Sequence, residues 1–280
     1  MGSYFAMRET IGKTAAYTIC RNEIKHLEKW LYYTATHDYR VLLDTGSTDG
    51  TWEELQRAAS SDPGLIIEQR TFTPWKFDVA RKYNLAMVPS DVDWCLSPDL
   101  DEYYSVNVLD EMEACIRERP DVTCIACDRL DVYSKVVRVG PPKHLGTNKI
   151  HRYGDYTWSQ PIYEHLSWIH QDRSEVEVYR EELYLIHDQD FKKKERPELY
   201  LKMLIDEWRE NPTNDWVLWY LCDHYYREKN MEMFIEVACD FVKCAREKNK
   251  LNEVRRELEN IYRFAVLDDS VKEKIRIRLS

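Results

Sequence analysis

Three carboxylates crowd the segment Asp99-Leu100-Asp101-Glu102, directly behind the apolar run Trp94-Cys95-Leu96. Pro98 keeps Ser97 out of the helical region, so the chain enters this cluster extended. Carboxylates at the end of a buried strand are costly unless positive charge neutralises them. A hard divalent cation that also holds a phosphorylated ligand would do so. In open α/β sheets, ligands bind beyond the carboxyl ends of the strands. The Asp-x-Asp spacing therefore points to a metal and nucleotide-diphosphate site. The plainer reading is an acidic loop capping the helix that begins near Val108, and the motif alone does not choose between them.

Two more polar segments follow apolar runs. Arg21-Asn22-Glu23 follows residues 15–20, and Asp44-Thr45-Gly46-Ser47-Thr48-Asp49-Gly50-Thr51 follows residues 40–43. The octapeptide has two glycines for tight turns, hydroxyls, two carboxylates and no lysine. That chemistry does not suit a triphosphate cradle. It suits a pocket in which Asp44 accepts hydrogen bonds from a base or ribose. The plainer alternative is a strand-to-helix turn with Asp49 or Ser47 as N-cap. In Ala80-Arg81-Lys82-Tyr83-Asn84, helical spacing puts Arg81 and Asn84 on one face. Arg81 or Lys82 would neutralise phosphate there, unless the face is simply solvated.

These segments need a scaffold, and the hydrophobic pattern supplies one. Strands are predicted at 15–20, 40–43, 65–68 and 94–97. Helices are predicted from near Asn22, from Trp52, and over 77–87. This fourfold alternation indicates parallel βαβ units. A helix over 108–119, a strand over 122–127 and an antiparallel strand over 131–139 follow. Residues 141–184 lack helical pattern and read as strands and loops closing one face. The charged segment 192–197 ends in proline and marks a domain boundary, after which the chain reads as helix. Leu199, Met203, Leu204 and Trp208 form one helical stripe, and two more stripes follow the punctuating Asn211-Pro212-Thr213-Asn214-Asp215. Their spacing is similar to a single tetratricopeptide hairpin, as an appendage rather than a solenoid.

The 280 residues include eight cysteines, and the net charge is -10. That charge argues against a broad nucleic-acid face. No apolar stretch is long enough to span a membrane, and the N-terminus lacks a signal-peptide core. Cysteines within apolar runs suit reduced core thiols and a cytoplasmic protein. Cys124 and Cys127 have metal-knuckle spacing, but they lie in a strand-like run with no second Cys/His pair at zinc-finger spacing.

The segments 18–23, 43–51, 80–84 and 94–102, in this order, resemble the nucleotide-sugar domain of family 2 glycosyltransferases, and the octapeptide is the most specific part. The resemblance covers roughly residues 12–190. It implies an α/β, Rossmann-like GT-A fold over 12–191, with a mostly parallel sheet flanked by helices. An all-α, tetratricopeptide-like region over 192–280 would follow, as in one bacterial and phage subgroup. Arg21, Glu23, Asp44 and Ser47 would line the base and ribose pocket. Thr18, Cys20, Asp99 and Leu100 would also meet the nucleotide sugar, and Arg81 would help hold phosphate. Asp99, Asp101 and His187 would hold Mn²⁺ or Mg²⁺. Glu164, in Ile162-Tyr163-Glu164-His165, would be the general base. Tyr163 stands where the subgroup has histidine, and Ser97-Pro98 replaces the usual apolar pair.

The implied reaction is an inverting, metal-dependent transfer from a nucleotide-diphosphate sugar, a UDP-sugar foremost. The acceptor is a glycan, a peptide or protein, or a modified DNA base. Glu102 and Asp188 are rival bases, and Tyr153, Tyr156, Trp158, Tyr163 and Trp168 are either acceptor platforms or core. The helical tail would bind acceptor or form a homodimer. A nucleotidyltransferase competes, although residues 18–23 have no glycine. So does a nucleotide-binding interaction module without turnover. Glycoside hydrolysis also uses paired carboxylates but has no need of the Asp44 loop.

Overall fold

A computed structural model describes residues 11–105, 107–133, 136–138, 149–189 and 197–248. The expected features at 139–148 and 192–196, and the chain end from 249, lie outside them. By packing, the chain divides into two compact units. One is Met1–Ser159 with Tyr163–Lys194, and the other is Gln160–Ile162 with Glu195–Ser280.

The first unit starts as the alternating pattern predicts. Strands β1 (Thr14–Cys20), β2 (Tyr39–Asp44), β3 (Leu65–Gln69) and β4 (Trp94–Leu96) alternate with helices α1 (Ile24–Tyr33), α2 (Thr51–Ala59) and α3 (Phe77–Ala86). They pair in the order β3-β2-β1-β4, all parallel. β1 is covered on both faces, with Ala15, Ala16, Tyr17 and Thr18 fully buried, so it reads as a continuous apolar run. Leu27 and Trp30 bury the inner stripe of α1, and Leu55 that of α2.

The other half of the sheet is mixed. It holds β5 (Glu102–Tyr104), β6 (Cys124–Tyr133), β7 (Val136–Arg138), β8 (Ile150–Arg152) and β11 (Glu177–Gln189). The path continues β4-β8-β6-β11-β5, and β7 pairs with β6. β8 is antiparallel to both β4 and β6, whereas β11 runs parallel to β6. α4 (Val108–Glu118) covers this half, burying Met112, Cys115 and Ile116 against Ile125, Ile150 and Leu185. β9 (Tyr156–Ser159) and β10 (His165–Trp168) form a separate hairpin. The strand expected over 131–139 is divided: Asp131 continues β6, and β7 returns against it. β5 was not expected. Its first residue, Glu102, ends the acidic cluster, and only pairing with β11 makes the three residues a strand.

The second unit is helical: α5 (Pro197–Glu210), α6 (Asp215–Arg227) and α7 (Met231–Glu247). Asn214 caps α6, its side-chain oxygen accepting from Val217 N at 3.3 Å. Leu218, Leu221 and Cys222 of α6 are buried, as are Phe234, Ala238 and Phe241 of α7. Met203 and Leu204 of α5 are also buried, but Leu199, in its first turn, is exposed despite its place in the predicted stripe.

Candidate active site

β1 has β2 on one side and β4 on the other, so strand order reverses there. The crevice beyond the carboxyl ends of two such strands is where an open α/β sheet binds ligands. Residues 21–23 and 97–102 emerge into it.

The acidic segment is pinned before any ligand arrives. Ser97 N donates to Lys149 O at 2.8 Å, and the Trp30 indole donates to Pro98 O at 3.1 Å. Glu102 N donates to Asp99 O at 2.9 Å, while Asp99 N donates to Glu102 Oε2, also at 2.9 Å. Glu102 therefore turns back to close the Asp99 turn. Its side chain is only 1% exposed, so this rival base faces the protein. The segment is not an N-cap for α4, where Asn107 precedes the helix and makes no side-chain cap bond.

Two cations hold Asp99, Arg81 buried and Lys149 half-buried. Arg81 Nη2 donates to Asp99 Oδ1 at 2.8 Å, and Lys149 Nζ donates to Oδ2 at 3.0 Å and to Glu102 Oε2 at 2.5 Å. Burial alone would lift the Asp99 carboxyl, but the Arg81 and Lys149 charges hold it well below the usual carboxylate range. Lys149 is pulled down by burial, and Asp99 and Glu102 more than restore it, so its net direction is upward. Arg81 stays on the inner face of α3 with Ala80, Asn84 and Leu85, not on a solvated face. Its guanidinium lies 4.5 Å from the Trp158 ring centroid, and its Nε donates to Glu164 Oε1 at 2.6 Å. The stretch carrying Glu164 thus comes back to the Asp-x-Asp turn. Tyr163, immediately before it, is exposed and has a left-handed φ of 54°.

Asp101 belongs to a second group. His187 Nε2 is 3.3 Å from Asp101 Oδ2, while His187 Nδ1 is 3.0 Å from Asp131 Oδ1 and 2.6 Å from Arg129 Nη2. Burial lowers the His187 pKa, but the bond and charge of Asp101 together with the bond to Asp131 outweigh it, and the net direction is upward. The rival base Asp188 pairs with Lys29 at 2.8 Å.

Among the described residues, no group of three or more His, Cys, Asp or Glu side chains is arranged to cage a metal. Asp101 Oδ2 and His187 Nε2 nevertheless stand 3.3 Å apart, close to the ~3 Å between adjacent corners of an octahedron with ~2.1 Å bonds. A carboxylate oxygen and an imidazole nitrogen fit Mn²⁺ or Mg²⁺ as a partial shell that substrate phosphates and water complete. Asp99, the further ligand expected, has both oxygens on cations, so it would join only by releasing one.

The octapeptide has a different geometry from either reading of its sequence. Asp44 is fully buried, and its Oδ1 accepts from Gly46 N and Ser47 N, both at 2.9 Å, and from Gln69 Nε2 at 3.0 Å. The Cys20 thiol lies 3.7 Å from Asp44 Oδ2. Asp44 thus builds the loop that would carry a nucleotide. Ser47 Oγ accepts from Asn22 N at 2.8 Å, Thr51 Oγ1 from Glu23 N at 3.0 Å, and Asp49 Oδ2 from Ile24 N at 3.2 Å. The loop therefore caps α1 across the sheet, where the amides at a helix N-terminus need acceptors. α2 instead begins after Gly50, whose φ of 95° favours glycine.

Of the other expected donor residues, Arg21 is exposed and Glu23 half-buried, while Thr18, Cys20 and Leu100 are buried. The last three would meet a nucleotide through backbone more than side chain. Among the expected aromatic platforms, Tyr156 and Trp158 are core residues, whereas Tyr163 is exposed. Sequence reasoning missed Lys149, Arg129 and Asp131 as site residues. Local sequence offered no signal for Lys149, which precedes the mostly polar strand Ile150-His151-Arg152.

No protein-family model matches the sequence, and no curated protein matches it. Solved structures do. S. aureus TarS superposes with a TM-score of 0.51 at 15% identity over 90% of this chain, which spans about half (54%) of that one. S. aureus TarS 1-349 in complex with UDP-GlcNAc superposes at the same score and identity, covering 94% of this chain and 91% of that one. GalNAc-T7 with UDP, GalNAc and Mn²⁺ gives a TM-score of 0.39 over 59% of this chain, too loose to argue from. With the strand order described above, the likeness to TarS identifies the architecture as a GT-A-type α/β fold with helices at its C-terminal end.

Proposed function

We propose that the chain is an inverting, metal-dependent glycosyltransferase that takes its sugar from a nucleotide-diphosphate sugar. The charge balance at the crevice carries this reading. Asp99, Asp101, Glu102, Asp131 and Glu164 are linked through Arg81, Lys149, Arg129 and His187. Among the described residues, with His187 as a neutral ligand, these five carboxylates meet three cations, and a divalent ion would make up the difference.

Asp101 and His187 would hold Mn²⁺ or Mg²⁺, with Asp99 as the further ligand. The ion would supply positive charge for the departing diphosphate. Arg81 is buried beside the same oxygens and would orient phosphate. Glu164 keeps Oε1 on Arg81 Nε, which leaves Oε2 to take the acceptor proton as the acceptor attacks the anomeric carbon. Arg21, Glu23 and the Asp44–Thr51 loop would hold the nucleoside, with Thr18, Cys20 and Leu100 supporting it from the strand ends. The UDP-GlcNAc in the TarS 1-349 structure supports a UDP-sugar as donor. α6 and α7, joined by three residues, support the tetratricopeptide-like reading of the tail. No described helix is long and apolar enough to cross a membrane.

The test is thermal stabilisation by UDP-, GDP- and dTDP-sugars, each with Mn²⁺ and with chelator. A shift with one donor that requires the metal and disappears in Asp101→Ala supports the transferase. Shifts only with simple nucleotides would reject it in favour of nucleotidyl transfer or plain nucleotide binding.

A further inference from the structure

We propose that Asp131 is a positioning residue that selects which nitrogen of His187 is free to bind metal, and that Arg129 competes with it for the same nitrogen. This rests on the metal reading above. The sheet places the parts. Asp131 and His187 are register partners on the parallel strands β6 and β11, and Glu102, beside Asp101, is the register partner of His187 on the opposite side. Asp188 N also donates to Asp101 O at 2.7 Å, which ties the Asp101 turn to β11. The arrangement is thus set by strand register.

Among the described residues, three groups meet the two nitrogens of the ring. Asp131 Oδ1 is 3.0 Å from Nδ1, Arg129 Nη2 is 2.6 Å from the same Nδ1, and Asp101 Oδ2 is 3.3 Å from Nε2. A guanidinium only donates, a carboxylate only accepts, and a neutral imidazole carries one N–H. Nδ1 cannot serve both Asp131 and Arg129. In one arrangement Nδ1 accepts from Arg129 and Nε2–H donates to Asp101. Asp131 is then still held by Arg129 Nε at 3.0 Å, although its Oδ1 faces the Nδ1 lone pair, and the Asp101 contact needs no metal ion. In the other, Nδ1–H donates to Asp131 and the Nε2 lone pair faces the Asp101 carboxylate. Two electron-rich atoms then oppose each other, and a divalent ion between them removes the conflict. Metal binding and the Asp131 bond therefore favour the same tautomer, and the Arg129 bond favours the other. Outer carboxylates commonly fix the tautomer of a metal-binding histidine in this way. The competing arginine opposes that choice here.

The test is a Mn²⁺ titration of the full chain in the presence of UDP, read as loss of the free-ion EPR signal. Asp131→Ala is expected to weaken Mn²⁺ binding about 10- to 100-fold. Asp131→Asn, which keeps a carbonyl acceptor, should restore most of that loss. Arg129→Gln should bind Mn²⁺ as tightly as the wild type or more tightly. A general structural disturbance would weaken all three, so equal losses would overturn the proposal, as would unchanged binding by Asp131→Ala. Failure of the wild type to bind Mn²⁺ would remove the metal reading and this proposal together. Wild-type binding with Asp131→Ala unchanged would remove this proposal alone. Should Asp131→Ala fail to fold, ¹⁵N spectra of the wild-type imidazoles decide, with His187 assigned from His187→Gln. The His187 proton is expected to move from Nε2 to Nδ1 when Mg²⁺ and UDP are added, and an unchanged tautomer refutes the idea.

Discussion

Arg81 joins Glu164 to the Asp-x-Asp turn. Its Nε donates to Glu164 Oε1 at 2.6 Å, and its Nη2 donates to Asp99 Oδ1 at 2.8 Å. One side chain on α3 thus spans two carboxylates that lie 65 residues apart in the sequence, between positions 99 and 164. A planar guanidinium can bond in two directions while resting on the Trp158 ring, and an ammonium cannot reproduce that. Arg81→Lys is expected to bind donor but lose roughly 100-fold in turnover. Arg81→Met, which takes the guanidinium from Glu164 and leaves Asp99 to Lys149, should cost about 3–5 kcal/mol in urea unfolding. An Arg81→Lys enzyme with wild-type turnover would show that the bridge has no part in the reaction.

Lys149 makes a companion prediction about stability alone. Its Nζ stands between Asp99 Oδ2 and Glu102 Oε2, and only 14% of the side chain is exposed. Lys149→Met should destabilise by about 3–5 kcal/mol, because two carboxylates then lose their shared cation. Adding Glu102→Gln to that variant should recover about 1–3 kcal/mol as the coupling between neighbours. Strictly additive losses in the double variant would show that the pair does not interact.

Asp49 tests the cap that the octapeptide provides. Its Oδ2 accepts from Ile24 N at 3.2 Å, and its Oδ1 accepts from Thr51 N at 3.0 Å and from Thr51 Oγ1 at 2.5 Å. Asp49→Ala is expected to cost about 1–2 kcal/mol in thermal or urea unfolding. Burial works to raise the Asp49 pKa, but the bonds from Thr51 and Ile24 hold it below its ordinary value. The stability it contributes is therefore present above the ordinary carboxylate pKa and lost as pH falls below it. The Asp49→Ala variant should converge on the wild type in acid.

His151 sets the response to mild acid. It is fully buried, its Nδ1–H donates to Arg152 O at 3.0 Å, and its Nε2 accepts from the Tyr17 hydroxyl at 2.9 Å. The Trp158 indole already donates to that hydroxyl oxygen at 2.8 Å. A proton on Nε2 would leave the Tyr17 O–H without its acceptor. Burial holds the His151 pKa down to about 4, against 6.5 for the free side chain. The unfolded chain therefore binds the proton first, and stability falls as pH drops from about 6.5 towards about 4, by about 3 kcal/mol in all. Unfolding measured across that range should show the loss, and His151→Gln should flatten it. An equal slope in the variant would assign the acid sensitivity to other groups.

Local sequence determined the elements and the residue types of the site. Apolar period and turn residues placed β1 to β4 and α1 to α4, because a strand or helix buries one face whatever lies beyond it. Residue types and spacing picked out Asp99, Asp101 and Arg81, the resemblance to family 2 glycosyltransferases added Glu164 and His187, and the fold brings these side chains into one linked group. Partners were a matter for the tertiary structure. Lys149 reaches Asp99 because β8 inserts beside β4, and Asp131 reaches His187 because β6 lies against β11. Neither pairing leaves a mark in the local pattern, since strand order across long connections depends on how the whole sheet packs. The octapeptide shows the same division. Its glycines and hydroxyls announce a tight polar loop, but only the parallel pairing of β1 with β2 turns Ser47, Asp49 and Thr51 toward the start of α1. Hydrogen-bond capacity is written in a residue's type, and which group uses it is decided by what the fold places within 3 Å or so.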